Sequence, residues 1–203
     1  MTQATTAKQT QANVLKLAET GILLALSIVL FEFIPVFSLP YGGSVTLCAQ
    51  LPIVILGYRH GVKWGFFAGF ALSLIELMFG LGNFAWVTGI TAYIILTFAD
   101  YIIAFTVLGL GGMFKKAIKN QALSVAAGAI VVTAIRFLCH IVSGATIWGS
   151  YMPEDMYANV WTYSFFYNAT YMIPELILTA IGAFVIGSIF ELRGEKVSML
   201  KRK

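Results

Sequence analysis

Four charged side chains stand out inside apolar segments that are long enough to cross a lipid bilayer: Glu76, Asp100, Arg136 and Glu175. A charged group at mid-bilayer depth costs about 2.5–3.5 kcal/mol on insertion scales, so such groups usually pair with one another or line a functional cavity. Asp100, Arg136 and Glu175 have similar predicted depths, which makes mutual pairing possible. A buried ion pair that only fixes helix packing is the alternative interpretation, and Glu76 is assigned no function.

One helical face of the segment IRFLCHIVSGATIWG carries Arg136, His140 and Gly144, because these residues are spaced by four. Trp148 lies at the end of the same segment. A lone histidine in a membrane helix often serves only packing, and a terminal tryptophan often anchors the helix at the interface. Gly144 favours a binding site instead, because its missing side chain leaves space beside the imidazole.

The segment WTYSFFYNATYMIP places Tyr163, Tyr167 and Tyr171 on one face and the amide of Asn168 deeper than an interfacial aromatic belt. Asp100 supplies a carboxylate, and this segment and the preceding helix supply aromatic rings and an amide around it. Aromatic faces attract a flat cation by about 0.5–2 kcal/mol per contact, and the carboxylate supplies the counter-charge. The pattern therefore favours an organic-cation site over a metal site, which needs clustered His, Cys or Asp.

Membrane helices are the elements that must position these residues. Hydrophobic residues make up 59% of the 203 residues, charged residues 11%, and the mean hydropathy is +0.86, whereas a soluble domain has roughly 25% charged residues. Lipid admits only helices or closed barrels, and the apolar runs are long and do not alternate, which indicates helices. The net charge of +4 does not indicate nucleic-acid binding, because the basic residues lie between the apolar runs.

An all-α membrane domain with six transmembrane helices is predicted, as a single domain over residues 1–203 with a polar N-terminal tail at about 1–13 that is not a signal peptide. The predicted helices lie near 14–37, 45–58, 63–80, 87–112, 121–148 and 160–191. The second is short for a full span. Pro35, Pro40 and Gly42-Gly43 are expected to break the chain before it, and Gly57 and Gly61 to bracket the turn after it.

Lysine and arginine positions predict that both termini are cytoplasmic. With six helices, all but one of the lysines and arginines fall on the same side of the membrane. The opposite loops, near 38–44, 80–87 and 149–160, contain no lysine or arginine. The exception is Arg136, inside the fifth helix. The residues of the basic side are Lys8, Lys16, Arg59, Lys63, Lys115, Lys116, Lys119, Arg193, Lys196, Lys201, Arg202 and Lys203.

The ordered segments LPYGGSVTL…LPI, GYRHGVKWGFFAG, ADYIIAF, RFLCHIVSGATIWGS and YSFFYNATYMIP resemble the thiamine-specific S components (ThiT/YuaJ family) of energy-coupling factor (ECF) transporters. The resemblance implies a six-helix S-component fold in the plasma membrane with an outward-facing thiamine pocket. It further implies a high-affinity binding subunit for ATP-driven vitamin uptake, which docks onto a transmembrane coupling subunit with two ATPase subunits. No catalytic residue, metal or cofactor is expected in this chain.

The resemblance also implies a set of site residues. The substrate-binding residues are Asp100, Tyr101, Arg136, His140, Gly144, Trp148, Tyr163 and Asn168. Asp100 would face the thiazolium ring, and His140 and Trp148 would stack on the aminopyrimidine. Gly21 and Ala25 match a small-xxx-small motif that contacts the coupling subunit, although such pairs also serve generic helix packing.

Two departures from the family pattern affect the site. Asp100 stands where some members have glutamate, so the carboxylate reaches about one methylene less far. Gly42-Gly43 stands where some members place a tryptophan near the pocket, and Trp86 could compensate for it.

Two other functions stay open. One is an S component for another vitamin or for a thiamine precursor. The other is a standalone secondary transporter of an organic cation. The lack of an inverted repeat in the sequence argues against it. An intramembrane enzyme is disfavoured because no nucleophile–base pair is found, and no GxxxxGK[ST] nucleotide-binding loop is present.

Overall fold

The computed structural model describes residues 2–39, 43–151, 153, 159–194 and 197–200. Six helices form a bundle within these ranges, which confirms the predicted fold class. They are α1 Thr2–Glu32, α2 Leu51–His60, α3 Val62–Phe79, α4 Ile90–Gly112, α5 Gln121–Thr146 and α6 Val160–Ile189. Five of the six are long and apolar enough to cross a membrane, and α2, with 10 residues, is the exception.

Helix α4 is not uniform. It is α-helical over Ile90–Ile95, π-helical over Leu96–Ile103, α-helical again over Ala104–Thr106 and 3₁₀-helical over Val107–Gly112. Two further 3₁₀ turns, Gly80–Trp86 and Trp148–Tyr151, follow α3 and α5. Both lie at the end of the bundle that carries the cavity described below.

Short strands complete the described fold. Strands β1 (Pro35–Ser38) and β2 (Ser44–Thr46) pair antiparallel as a hairpin between α1 and α2. Strands β3 (Phe190–Glu191) and β4 (Ser198–Met199) form a second antiparallel pair after α6.

The first two predicted helix boundaries are wrong. Helix α1 begins at Thr2 and ends at Glu32, instead of running over 14–37, and α2 begins at Leu51 instead of 45. The hairpin takes the residues in between. Proline disfavours helical conformation in the residue before it, so Ile34 before Pro35 ends the helical run. Short apolar segments do not distinguish a strand from a helix by hydropathy alone.

Asparagine side chains start the two longest helices of the second half. The side chain of Asn120 accepts a hydrogen bond from Leu123 N, and that of Asn159 accepts one from Thr162 N. Each cap satisfies an N–H group that has no partner within the helix. The predicted starts of these helices, 121 and 160, are therefore accurate.

Glycines bring the backbones of α2, α3, α4 and α5 into direct contact. A Cβ on Gly57 or Gly65 would lie 2.1 or 2.0 Å from the carbonyl oxygen of Gly109, and one on Gly128 would lie 1.9 Å from that of Gly111. Any larger residue would force these helices apart. Gly57 was expected in the turn after α2 but lies inside the helix, because this contact requires it; Gly61, at φ 89°, ends α2.

Basic residues from three chain breaks meet at the other end of the bundle. Arg193 donates to the carbonyl oxygen of Lys115, and Lys115 donates to that of Arg59. Burial, with the nearby charges of Arg193 and Arg59, lowers the pKa of Lys115 below its usual value. These residues share one end, as the charge pattern predicted. That this end faces the cytoplasm stays a prediction, and Lys196 and residues 201–203 lie outside the described ranges.

Candidate functional site

All eight residues of the predicted substrate site line a single cavity of about 180 Å³. This volume is an order of magnitude above the roughly 10–15 Å³ that one water needs, so the cavity can admit a small organic molecule. Its walls come from α1, α3, α4, α5, α6 and the β1–β2 hairpin. The other residues that line it are Phe31, Glu32, Gly43, Ser44, Glu76, Asn83, Phe105, Ser164, Tyr167 and Tyr171.

The carboxylate of Asp100 is held by two side chains of α5. Its Oδ1 lies 2.9 Å from Nδ1 of His140, and its Oδ2 accepts a hydrogen bond of 2.5 Å from the hydroxyl of Ser143. The side chain keeps 16% of its surface exposed. The carboxylate is therefore oriented by the protein and remains accessible from the cavity.

Asp100 and Tyr101 both lie in the π-helical part of α4. Isolated π-helical turns occur frequently at functional sites. The phenol of Tyr101 accepts a hydrogen bond of 2.8 Å from Asn83 and donates one of 3.3 Å to the carbonyl of Gly80. The two neighbours thus project to different partners, Asp100 toward α5 and Tyr101 toward the turn after α3.

Arg136 forms no ion pair with Asp100 or Glu175 among the described residues, although their similar depth made pairing possible. Its Nε donates to Nε2 of His140 at 3.3 Å, and Nη1 donates to the side-chain oxygen of Gln50 at 3.4 Å. Within the described ranges, Arg59 and Glu19 form an ion pair, whereas the contacts of His60 with Glu19 and of His140 with Asp100 are ion pairs only when the imidazole is protonated.

Two phenylalanines flank the Arg136 guanidinium in place of a carboxylate. Its Cζ lies 4.4 Å from the ring centre of Phe105 and 5.0 Å from that of Phe31. Cation–π attraction thus replaces the direct pairing that similar depth suggested.

Glu175 serves the hairpin rather than the cavity. Its carboxylate accepts hydrogen bonds from the backbone N–H of Thr46 at 2.7 Å and from the Thr46 hydroxyl at 2.8 Å. Both residues are at most 1% exposed. The bonds between Glu175 and Thr46 therefore anchor β2 to α6. The cavity-lining residues Ser44 and Gly43 lie two and three residues before Thr46.

Gly144 allows α5 and α6 to approach beside the cavity. A Cβ at this position would lie 2.2 Å from the hydroxyl oxygen of Ser164 and 2.9 Å from Nδ2 of Asn168. The space beside the imidazole that the sequence suggested is therefore occupied by α6 side chains.

Asn168 makes hydrogen bonds within the protein through both ends of its amide. Its Nδ2 donates to the carbonyl of His140 at 3.2 Å and to that of Ser164 at 2.8 Å, and its Oδ1 accepts a hydrogen bond of 2.5 Å from Tyr171. The amide therefore joins the backbone of α5 to the aromatic side of the cavity.

Aromatic side chains of α5 and α6 form one wall of the cavity. The rings of Tyr163 and Tyr167 lie 5.8 Å apart, and the imidazole of His140 lies 6.1 Å from the Tyr171 ring. Trp148 also lines the cavity.

The hairpin reaches this aromatic wall at Gly43, whose φ is 85° and whose Cβ position would be 2.5 Å from the Tyr171 ring. Gly42, the other glycine of the departure from the family pattern, lies outside the described residues. Trp86 is 62% exposed and does not line the cavity.

Two carboxyl groups of the cavity were not assigned to the site from the sequence. Glu76 is 5% exposed, and its Oε1 has no hydrogen-bond partner among the described residues. Glu32, at the end of α1, lies beside it. An intramembrane carboxylate is by default a candidate functional group, so Glu76 carried a signal that would have supported its inclusion.

Gly21 and Ala25 lie on an exposed part of α1. Both are exposed, and a Cβ on Gly21 would have no atom within 4 Å. Their small side chains therefore do not serve packing inside the described bundle, and their role in partner binding stays a prediction.

Comparisons with known proteins agree on one family. A family model described as "Thiamine transporter protein" (Thia_YuaJ) matches residues 17–192. The thiamine transporter ThiT of Bacillus subtilis is 32% identical over 179 residues, covering 83% of this chain and 88% of that protein. ThiT of Lacticaseibacillus paracasei is 29% identical over 141 residues, covering 64% of this chain and 67% of that protein.

A solved structure shares the fold. The structure of ThiT from Listeria monocytogenes superposes with a TM-score of 0.68 at 20% identity, and the match covers 86% of this chain and 94% of that one.

Proposed function

Because the chain belongs to the thiamine transporter (ThiT/YuaJ) family, we propose that it is the thiamine-binding S component of an ECF vitamin uptake transporter. It is a multi-pass membrane protein, and we place it in the plasma membrane with both termini in the cytoplasm. The whole chain acts as one binding domain and does no chemistry. ATP is hydrolysed by two separate ATPase subunits, which act through a transmembrane coupling subunit.

The observation that carries the proposal is the oriented carboxylate of Asp100 inside an aromatic-walled cavity. Three carboxyl groups (Glu32, Glu76 and Asp100) and one guanidinium (Arg136) line this cavity, so the balance of formal charges suits a cation. Thiamine carries a permanent positive charge on its thiazolium ring and a flat aminopyrimidine. The first needs a counter-charge in a low-dielectric site, and the second needs ring faces.

The eight predicted residues take distinct roles in this proposal. Asp100 balances the thiazolium charge, and Trp148 and His140 offer faces to the aminopyrimidine. Tyr163 and Asn168 supply polar groups at the α6 wall. The remaining members of the set are Tyr101, Arg136 and Gly144, which complete the hydrogen-bond network and shape the wall.

His140 can position Asp100 without competing for the ligand's charge. Arg136 donates to Nε2 of His140, so the proton of the neutral imidazole resides on Nδ1 and points to Asp100. A neutral imidazole leaves the full negative charge of Asp100 available to a cation in the cavity. The arrangement supports binding of a permanently charged ligand.

Replacing Asp100 tests the proposal directly. Asp100→Asn should weaken thiamine binding by at least about 100-fold, about 2.7 kcal/mol, because the amide has the same shape but no charge. Quenching of tryptophan fluorescence on titration with thiamine measures the affinity, since Trp148 lines the cavity. Asp100→Glu, which keeps the charge, is the matched control and should bind within about tenfold of wild type. Near-normal affinity of the asparagine variant contradicts the proposed role.

The identity of the ligand is tested by its parts. Thiamine should bind far more tightly than its pyrimidine or thiazole half, because each half satisfies only one wall. Tighter binding of one half, or of a different vitamin, would assign the chain to another S-component specificity. Uptake in a host that lacks the coupling and ATPase subunits would instead support a standalone transporter.

A further inference from the structure

The cavity has a second acidic region apart from Asp100. Glu76 comes from α3 and Glu32 from the end of α1, whereas the aromatic wall comes from α5 and α6. Arg136 lies between the two, since its guanidinium contacts His140 on one side and the rings of Phe31 and Phe105 on the other. The side of the cavity formed by α5 and α6 is thus aromatic, and the side formed by α1 and α3 carries the two carboxyl groups.

One oxygen of these two carboxyl groups has an unused hydrogen-bonding capacity. Glu76 is 5% exposed, lines the cavity, and its Oε1 has no hydrogen-bond partner within the described ranges. A buried polar atom that lacks a partner is destabilising, because it has lost its hydrogen bonds to water. A donor on a bound ligand would restore a hydrogen bond to this oxygen.

We propose that Glu76 is a ligand-binding residue, whose Oε1 accepts a hydrogen bond from the hydroxyl group of the bound cation. The inference rests on the proposed binding of thiamine. When the aminopyrimidine occupies the aromatic wall and Asp100 faces the thiazolium, the hydroxyethyl chain on the thiazolium is directed toward the side of the cavity that remains, which carries Glu76.

Two ligands and two variants test the hydroxyl contact. The wild-type chain should bind thiamine about tenfold more tightly than an analogue with ethyl in place of hydroxyethyl. Glu76→Met removes the acceptor at similar side-chain length, so this variant should bind thiamine and the analogue with about equal affinity. Its affinity for the analogue should match that of the wild-type chain. Glu76→Gln keeps an acceptor oxygen and should retain most of the preference. A methionine variant with an unchanged preference overturns the inference.

No particular affinity is expected for thiamine monophosphate, because Glu76 and Glu32 lie close enough to share a proton. The wild-type comparison of thiamine with the ethyl analogue decides the matter if the methionine variant does not fold. A wild-type chain that binds thiamine and the ethyl analogue equally overturns only this inference. A wild-type chain that binds neither overturns the proposed function, and the inference with it.

Discussion

Hydrogen bonds between side chains hold the charged groups of the cavity in defined orientations. Asp100 is held by His140 and Ser143, and His140 is held in turn by Arg136. Networks of this kind fix the rotamers of their members, which preorganises a site for its ligand. The affinity of the site should therefore depend also on Ser143, which holds Asp100 but is not among the residues that line the cavity.

Gly144 offers a test at the residue scale. Gly144→Ala should weaken thiamine binding about tenfold, because the added Cβ would lie 2.2 Å from the Ser164 hydroxyl and 2.9 Å from the Asn168 amide. Forced packing of this kind typically costs about 1–3 kcal/mol. Titration by tryptophan fluorescence measures the change.

Ser164→Ala is the matched partner in a double-mutant cycle for Gly144. It removes the nearest clashing atom, so Gly144→Ala should cost clearly less in the Ser164→Ala background. Equal losses in both backgrounds would show that the clash with Ser164 is not the cause.

Among the elements, the hairpin depends on a single buried anchor. Glu175 accepts two hydrogen bonds from Thr46, and the hydroxyl of Thr46 also accepts one from Ala49 N at 3.2 Å. Hydrogen bonds to a charged group contribute about 1.5–3 kcal/mol each. The anchor therefore holds Gly43 and Ser44 in place at the cavity.

Thr46→Val tests this anchor, because it keeps the shape of the side chain and removes the hydroxyl. The variant should release bound thiamine several times faster, with a smaller change in the association rate, as the hairpin opens more readily. Stopped-flow fluorescence separates the two rates. Thr170→Val, which changes an exposed threonine of α6, should leave both unchanged. A wild-type release rate in Thr46→Val would argue against hairpin control of ligand exit.

The sequence predicts helices well where apolar length and caps agree. The helices that begin after Asn120 and Asn159 start where predicted, because both signals are local. The hairpin was missed because β1 and β2 are stabilised by each other and by Glu175, 129 residues beyond Thr46. A local sequence pattern cannot predict a contact between residues so distant along the chain.

The composition of the site was predictable only in part. Arg136, His140 and Gly144 follow from helical spacing, and the resemblance to a family adds Asp100 and Tyr101. Glu76 was given no function, although a carboxylate inside a membrane segment is a candidate functional group. The folded structure adds that it lines the cavity and that its Oε1 has no hydrogen-bond partner among the described residues. The hydropathy pattern likewise does not predict the π-helical turn that carries Asp100.

At the scale of the whole molecule, α1 presents a face that the rest of the chain does not cover. Gly21 and Ala25 are exposed on it, and 11% of the apolar window of α1 is buried, compared with 28–50% for the other four spans. A face of small residues allows another helix to approach closely in lipid. This matches the proposed docking of a coupling subunit.

Ala25→Trp separates docking from ligand binding. The bulky ring should block close approach of the coupling subunit and abolish thiamine uptake in cells that supply the coupling and ATPase subunits. Thiamine binding by the purified chain should stay within about twofold of wild type. Ile181→Trp, at a 58% exposed position of α6, is the control and should support uptake. Loss of both binding and uptake in Ala25→Trp would indicate a packing role instead.

The glycine contacts between α2, α3, α4 and α5 limit which parts of the molecule can move. Backbones that touch without intervening side chains have no rotamers to rearrange, so these four helices shift only together, as a rigid body. Helix α1 and the hairpin are held by side chains instead, through Ser27 to the carbonyl of Ala49 and through Thr46 to Glu175. On ligand binding, α3, α4 and α5 should therefore change little, and movement should be confined to α1 and the β1–β2 hairpin.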